Sequence, residues 1–259
     1  MTANARSPLK AKPLRTPGQS VSDDIQRLMD DKVLPTMLIV GALWVITLVE
    51  WLGAIRNAPR IPLWYTAISL AATVFAIWQF RSIRRRIRLL KQARDGELVV
   101  GQFLDGLRED GARIFHDIPG EGFNLDHVVI SQKGIFVVET KTLSKPHPDA
   151  KITIDGERLL VAGHTMDRDP VKQARAQVTW LARVLEETTG RKNPIKGSIV
   201  FPGWFVEPPP AGSKLEIWVL SARALPSFIE NEPARLKPDE VSLASYHLSR
   251  FIRTAQADP

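Results

Sequence analysis

Two uninterrupted apolar stretches dominate the first third of the chain. Residues 36–55 form a run of 20 positions with one charge, and residues 61–80 form a run of 20 with none. Each run, as a helix, is long enough to cross a hydrocarbon core of about 30 Å. Neither run has the polar face that a soluble helix presents to water. The pattern predicts two transmembrane helices, and a pair of buried core helices is the less favoured alternative.

The residues that flank these runs predict how the chain is oriented. Residues 56–60 are a short connector, so the two helices must form a tight hairpin with both chain ends on one side. A basic run follows the second apolar stretch: Arg81, Arg84, Arg85, Arg86, Arg88, Lys91 and Arg94. The positive-inside rule places such a run in the cytoplasm. We therefore expect a protein of the cytoplasmic membrane with both termini cytoplasmic. Anionic lipid head groups and a nucleic-acid backbone are two further candidate ligands of the basic run.

The residues before the first apolar stretch have a different character. Residues 1–22 are rich in Pro, Ser, Thr, Lys and Arg and lack an apolar period, which predicts a disordered tail without a function of its own. Ser22 precedes two acidic residues, as at the start of a capped helix, and predicts a short amphipathic helix that ends near Lys32. The predicted organisation is then a tail with a juxtamembrane helix (1–34), two spans with a basic helix (35–94), and a soluble domain (95–259).

Beyond the basic run, helical and alternating patterns follow one another. The first predicted helix covers residues 92–107, with an apolar stripe of Leu98, Val99, Phe103, Leu104 and Leu107. Strands are predicted over 112–118, 125–131 and 135–141, then a hairpin over 152–161. The remaining predictions are a helix opened by Asp169 that runs to about 187, strands over 196–201 and 216–220, and helices over 225–230 and 243–254. This order predicts an α/β fold with a mixed sheet flanked by helices.

The charge of the chain is unevenly distributed. The net charge is +7, but residues 1–94 hold 15 Lys+Arg and 5 Asp+Glu, a balance of +10. Residues 95–259 hold the remaining 20 and 23, a balance of −3. The overall field of the soluble domain therefore does not attract a polyanion, and nucleic-acid binding there requires a local patch or a metal ion. The absence of cysteine excludes disulfides, thiolate zinc sites and cysteine nucleophiles.

Three polar residues stand where the predicted strands of a hairpin begin and end. Asp126 starts one strand, and Glu139 and Lys141 end the next, on one face of that strand. Two neighbouring carboxylates offer oxygen ligands for Mg²⁺, and an ammonium group can orient an attacking water or balance charge on a phosphate. This chemistry suits phosphodiester hydrolysis. A solvated strand end is the competing interpretation of the same residues.

The segments FNLDHVVIS and KGIFVVETK, together with the helix that carries Gln173, resemble the nuclease-related (NERD) domain of the PD-(D/E)XK restriction-endonuclease-like group. The resemblance covers roughly residues 96–206. Asp126, Glu139 and Lys141 match its D…ExK core, Gln173 its helical glutamine, and Glu97 its early glutamate.

This resemblance implies a restriction-endonuclease-like sheet flanked by helices and a Mg²⁺-dependent (or Mn²⁺-dependent) nuclease, with DNA favoured over RNA. It implies catalytic roles for Asp126, Glu139, Lys141 and Gln173. It also implies metal ligation by Asp126 and Glu139, with Glu97 as an outer ligand, while Gln173 binds a phosphate or holds Glu97. The two-span anchor is a departure from the soluble start of the family's pattern.

Two other classes of function compete with the nuclease. One is a catalytically inactive, membrane-tethered module that binds nucleic acid or a protein, with an exposed aromatic loop at Pro202, Trp204 and Phe205 as its surface. The other is a scaffold whose hairpin docks a membrane-protein partner within the lipid bilayer. We expect His127, which neighbours Asp126, to be a packed histidine rather than a base.

Overall fold

The computed structural model describes residues 13–56, 61–210 and 215–256, and the chain divides into two compact units. One unit comprises residues 20–92. The other joins the residues up to Gln19 with those from Ala93 onward. The boundary near residue 92 lies close to the predicted start of the soluble domain.

The unit of residues 20–92 is helical. Helix α1 (Gln19–Leu28) passes through a π-helical turn (Met29–Val33) into α2 (Leu34–Ile55), and α3 (Pro62–Asp105) begins after the connector. Helix α1 begins three residues before the predicted start, so Ser22 lies inside the helix and is not its cap. Helix α3 contains both the second apolar run and the helix predicted over residues 92–107, because no residue between them breaks the helical pattern.

Helices α2 and α3 pair as an antiparallel hairpin. The indole nitrogen of Trp44 donates a hydrogen bond to Thr73 at 2.9 Å, and that of Trp51 donates to Thr66 at 3.0 Å. A buried contact of 2.8 Å joins the hydroxyl groups of Thr47 and Ser69 at the centre. Small and polar residues in such a seam let two helices approach closely. By length and composition, two helices in the described part of the chain suffice to cross a membrane.

The second unit is built on two sheets. Its strands are β1 (Arg113–Pro119), β2 (Asn124–Ser131), β3 (Gly134–Thr140), β4 (Lys151–Asp155), β5 (Arg158–Val161), β6 (His164–Thr165), β7 (Ile195–Val200), β8 (Phe205–Val206) and β9 (Trp218–Leu220). The larger sheet has the order β1-β2-β3-β7-β9, antiparallel up to β3 and parallel from β3 to β9. The smaller sheet has the order β6-β5-β4-β8. The mixed sheet agrees with the predicted fold class.

Helices cover both faces of the larger sheet. On one face, Val100, Leu104 and Leu107 of α3 pack into a buried cluster with the sheet. On the other face lie α4 (Pro170–Thr189) and α6 (Pro238–Ala255), whose apolar residues share a second cluster with the strands. A short helix, α5 (Leu225–Glu230), precedes α6.

The prediction of which face of α3 is buried was partly wrong. Leu98, Val99 and Phe103 were placed on the buried stripe, but each of these side chains is more than a third exposed. The buried positions are Glu97, Val100, Leu104 and Leu107, which recur at helical spacing. The apolar pattern favoured the wrong face because a carboxylate occupies one position of the buried stripe.

Helix α4 begins where the sequence predicts. Asp169 accepts hydrogen bonds from the backbone N–H groups of Val171 and Lys172, and Pro170 is the first helical residue. Gly190, with φ of 69°, ends the helix in a left-handed conformation. Helix α6 begins at Pro238, five residues before the predicted start, and the two-residue strands β6 and β8 were not predicted.

Part of the predicted disordered tail is ordered. Residues 1–12 lie outside the described residues, but residues 13–18 pack on the second unit. Leu14 contacts the buried cluster of α4 and α6, and Pro17 lies so close to Gly101 that a Cβ atom there would approach it to 2.8 Å. The prediction of disorder was therefore wrong for residues 13–22, because their partners are distant in sequence.

Candidate active site

The hairpin of β2 and β3 places Asp126 opposite Glu139. His127 pairs with Val138, so the next cross-strand position joins Asp126 and Glu139. The backbone N–H of Thr140 donates a hydrogen bond to Oδ2 of Asp126 at 2.6 Å. The two carboxylates thus meet where β2 begins and β3 ends, as the sequence predicts.

Three donors hold the carboxylate of Glu139, which is buried. Lys141 Nζ lies 2.6 Å from Oε1, and Gln173 Nε2 donates to the same oxygen at 2.7 Å. The amide of Gln177 donates to Oε2 at 2.5 Å. Lys141 also donates to Oε1 of Gln173 at 2.9 Å, which closes a ring of three side chains. Gln173 therefore holds Glu139 and Lys141, and the predicted contact with Glu97 is not among its hydrogen bonds in the described part of the chain.

Gln177 belongs to the site but was not among the predicted site residues. It follows Gln173 by one turn of α4 and is 1% exposed. Its Oε1 atom has no hydrogen-bond partner within the described residues. The signal was the spacing: two glutamines four residues apart on a helix lie on one face.

Glu97 reaches the site because α3 approaches the end of β3 at a glycine. A Cβ atom at Gly96 would overlap the side chain of Thr142, so a larger residue would push the helix away. Burial raises the pKa of Glu97 to about 7, and the negative charges of Asp117 and Glu139 add to the shift. A hydrogen bond from the backbone of Gly18 opposes it.

Asp126 lies in a similar electrostatic environment. Burial raises its pKa well above the ordinary value, and the charges of Glu139 and Glu97 raise it further. The Thr140 N–H and the Lys141 ammonium act in the opposite direction. The site therefore holds more negative charge than its own cations balance, which is the condition in which carboxylates retain protons or take up a cation.

Asp117 is a further carboxylate of this edge that the sequence prediction missed. In the register of β1 and β2 it lies across from Asp126, between the pairs His116–His127 and Ile118–Leu125. Its side chain is 2% exposed, and its φ of 50° is in the left-handed region. The signal was a lone acidic residue within the apolar strand RIFHDIP.

Arg15 and Asn124 both donate to the Asp117 carboxylate. Arg15 Nη1 donates to Oδ2 at 3.0 Å, and Asn124 Nδ2 donates to Oδ1 at 3.0 Å. Arg15 comes from the segment before α1, so residues on both sides of the predicted membrane spans contribute to one site.

His127 is a packed histidine, as predicted. Its Nδ1 atom lies 2.8 Å from Nδ1 of His116 on β1, and both rings are buried. Burial lowers the pKa of His127 to about 3, and the neighbouring His116 lowers it further. Burial also lowers the pKa of His116 to about 4, with a smaller effect from Arg108. Both rings are therefore neutral at pH 7.

The donor set of the site suits a divalent cation only in part. Within residues 13–56, 61–210 and 215–256, no three His, Asp or Glu side chains lie close enough to form a metal-binding group. Asp126, Glu139 and Glu97 are thus not gathered as one ligand set, and Glu139 is engaged by its three donors. The facing carboxylates of Asp126 and Glu139 and the excess negative charge fit a hard cation such as Mg²⁺.

The aromatic loop after β7 differs from its prediction. Trp204 is 3% exposed, and its indole N–H donates to the carbonyl of Leu143 at 3.0 Å. Of Trp204 and Phe205, only Phe205 is exposed, at 63%. The loop is therefore anchored to the domain, and its predicted role as an exposed two-ring surface does not hold.

The fold and the site define an α/β domain with paired carboxylates and a lysine at the ends of adjacent strands. Residues 92–202 match the family model NERD, described as the nuclease-related domain. The match confirms the resemblance drawn from the sequence, which covers nearly the same residues. Comparison with curated proteins and with solved structures found no significant match.

Proposed function

We propose that this protein is a membrane-anchored nuclease that hydrolyses phosphodiester bonds with a divalent cation. The observation that carries the proposal is the arrangement of Asp126 opposite Glu139, with Lys141 Nζ 2.6 Å from the Glu139 carboxylate. The match to the nuclease-related domain supports nucleic acid as the substrate class. DNA is favoured over RNA, as the resemblance implies.

Each residue of the site has a distinct role in this reaction. A water oxygen bonds to phosphorus, the bond to the leaving ester oxygen breaks, and a proton of the water passes by way of solvent to the leaving oxygen, which departs as an alcohol. Lys141 balances the charge that develops on the phosphate, while Gln173 and Gln177 orient Glu139. A bound Mg²⁺ or Mn²⁺, held by Asp126 and Glu139 with Glu97 nearby, would supply Lewis-acid activation of the phosphate.

The electrostatics of the free site supports a cation cofactor. The pKa values of Glu97 and Asp126 are raised because burial and mutual repulsion disfavour their charged forms. A divalent cation would relieve that repulsion and restore the ionised forms.

Membrane anchoring rests on the two apolar helices. In the most apolar part of each helix only 6% and 11% of the residues are buried, whereas the core helices of a soluble protein are mostly buried. Large side chains such as Leu63, Trp64 and Val74 are more than half exposed. A lipid bilayer is the environment that covers such a surface, and the basic run after Phe80 favours cytoplasmic termini.

The test uses the full-length chain in detergent, because Leu14 and Arg15 are part of the folded domain. Single-stranded and double-stranded DNA and RNA are incubated with Mg²⁺ or Mn²⁺ or with chelator. We expect metal-dependent cleavage that Asp126→Asn, Glu139→Gln and Lys141→Ala each reduce by at least about 100-fold. Glu232→Gln is the matched control, because Glu232 forms a comparable ion pair with Lys196 at 2.8 Å outside the site.

A catalytically inactive binding module is the second candidate function. The engagement of both Glu139 oxygens by Lys141, Gln173 and Gln177 favours it, since a carboxylate so satisfied has little need of a metal. Nucleic-acid binding by a folded wild-type chain without cleavage under any metal condition would exclude the nuclease and support this candidate.

A further inference from the structure

A groove lies within the unit of residues 20–92, at the end of the hairpin where the apolar run of α3 stops. Its volume is about 530 Å³, and one wall is formed by Met29, Val33 and Met37, spaced four residues apart. This spacing places the three side chains on one helical face. Ile77 and Phe80 of α3 form part of the opposite wall.

Two arginines of α3 also line this groove. Arg81 and Arg84 are three residues apart, which places them on one helical face, and both are exposed. Neither has an ion-pair partner among the described residues, and no acidic residue belongs to the lining. The groove thus combines an apolar interior with two unpaired guanidinium groups.

The position of these arginines matches the depth of lipid head groups. The 20 apolar residues before Arg81 span about 30 Å as a helix, the thickness of a hydrocarbon core. Hydrogen bonds between Thr36 and Gln79 at 3.1 Å and between Trp44 and Thr73 place the start of α2 at the same end. An acyl chain against Met37, Ile77 and Phe80, on the bilayer side of this level, would therefore bring its phosphate to Arg81 and Arg84.

We propose that the groove is a binding site for an anionic glycerophospholipid, whose acyl chain lies against Met37, Ile77 and Phe80 and whose phosphate binds Arg81 and Arg84. Guanidinium groups bind phosphate by paired hydrogen bonds and carry a permanent charge. A zwitterionic lipid would place its cationic head group beside the same arginines, so the site discriminates by head-group charge. This inference rests on the membrane-anchor part of the proposed function and is independent of nuclease activity.

The experiment compares two variants that remove equal charge from the same basic run. Full-length protein in detergent is mixed with equimolar phosphatidylglycerol and phosphatidylcholine, and lipids that co-elute on gel filtration are quantified by mass spectrometry. We expect wild type to retain phosphatidylglycerol preferentially. In R81Q/R84Q the amount of co-eluting phosphatidylglycerol should fall about tenfold. R85Q/R86Q is the matched control and should change retention by less than about twofold, since neither residue lines the groove.

A third variant tests the groove itself. Met37→Trp fills the apolar wall and leaves both arginines, so it should also lower phosphatidylglycerol retention. Equal losses in both double variants, or no lipid preference in wild type, would overturn the site in favour of a diffuse basic surface. Loss of DNA-duplex binding by R81Q/R84Q without loss of lipid would overturn it in favour of a nucleic-acid surface.

Carbonate extraction of cell membranes separates this inference from the anchor proposal. Release of wild type into the soluble fraction contradicts the membrane anchor itself, and with it the lipid site. Retention in the membrane, combined with equal binding of both lipids, contradicts the lipid site alone.

Discussion

Arg15 Nη1 lies 3.0 Å from Oδ2 of Asp117, a carboxylate whose side chain is 2% exposed. Asp117 in turn raises the pKa of Glu97, so the ion pair limits the negative charge around the candidate site. The segment before the first apolar helix is therefore part of the same compact unit as the candidate site. A fragment that begins at residue 92 lacks this ion pair and exposes the surface that Leu14 covers.

Removal of Arg15 should destabilise the domain. Arg15→Ala removes a guanidinium group that lies 3.0 Å from the buried Asp117 carboxylate, and we expect the free energy of unfolding to fall by about 1–3 kcal/mol. Urea denaturation of the full-length chain in detergent measures this change. Arg27→Ala removes an arginine whose side chain is 76% exposed and should have little effect. In the Arg15→Ala background, Asp117→Asn should restore part of the loss; unchanged stability in both variants would contradict the role of the ion pair.

Gly96 should be intolerant of a side chain. Gly96→Ala must displace α3 from Thr142, and with it Glu97, so we expect a loss of about 1–3 kcal/mol in unfolding free energy. Gly106→Ala is the matched control, because a Cβ atom at Gly106 meets no atom within 4 Å. Thermal denaturation of both variants measures the difference between their melting temperatures. Equal melting temperatures would show that the helix adjusts without cost.

Glu97 should reduce stability at neutral and higher pH when no metal is present. Its pKa rises from 4.5 to about 7 on folding, so the folded state binds more protons between these values. The resulting cost is absent below about pH 4.5 and complete above about pH 7. Glu97→Gln should therefore stabilise the chelator-treated protein at pH 8 by about 1–3 kcal/mol and have less effect at pH 5. Glu157→Gln, on the surface, should not stabilise at either pH.

His116 and His127 should make the folded state less stable as the pH falls, whereas Glu97 makes it less stable as the pH rises. His116 and His127 have folded pKa values of about 4 and about 3, below the ordinary 6.5, so the unfolded state binds more protons in this range. Their contribution to stability is complete above about pH 6.5 and is lost as the pH falls toward 4. Denaturation from pH 7 to pH 4 in the Glu97→Gln background should show a decline on the order of 3–6 kcal/mol.

A double replacement tests the assignment of that decline. His116→Gln together with His127→Gln should flatten the pH dependence, whereas His164→Gln, at an exposed position, should leave it unchanged. A decline that persists in the double variant would assign the acid sensitivity to other groups.

The sequence by itself determined the parts of this protein that depend on local pattern. Two 20-residue runs with at most one charge predict the two long apolar helices, and the alternation of β2 and β3 around a short turn sets Asp126 opposite Glu139. Residues two apart on a strand share a face, so the contact between Glu139 and Lys141 also follows from the sequence.

Only the tertiary structure decided the contacts between residues far apart in the chain. Gly96 lets α3 bring Glu97 beside strands that lie more than 20 residues later, and Arg15 meets Asp117 across 102 positions. Gln177 joins the site only because α4 packs across the end of β3. Local periodicity cannot predict such contacts, since they depend on how helices and sheet pack and on which buried charges require a partner.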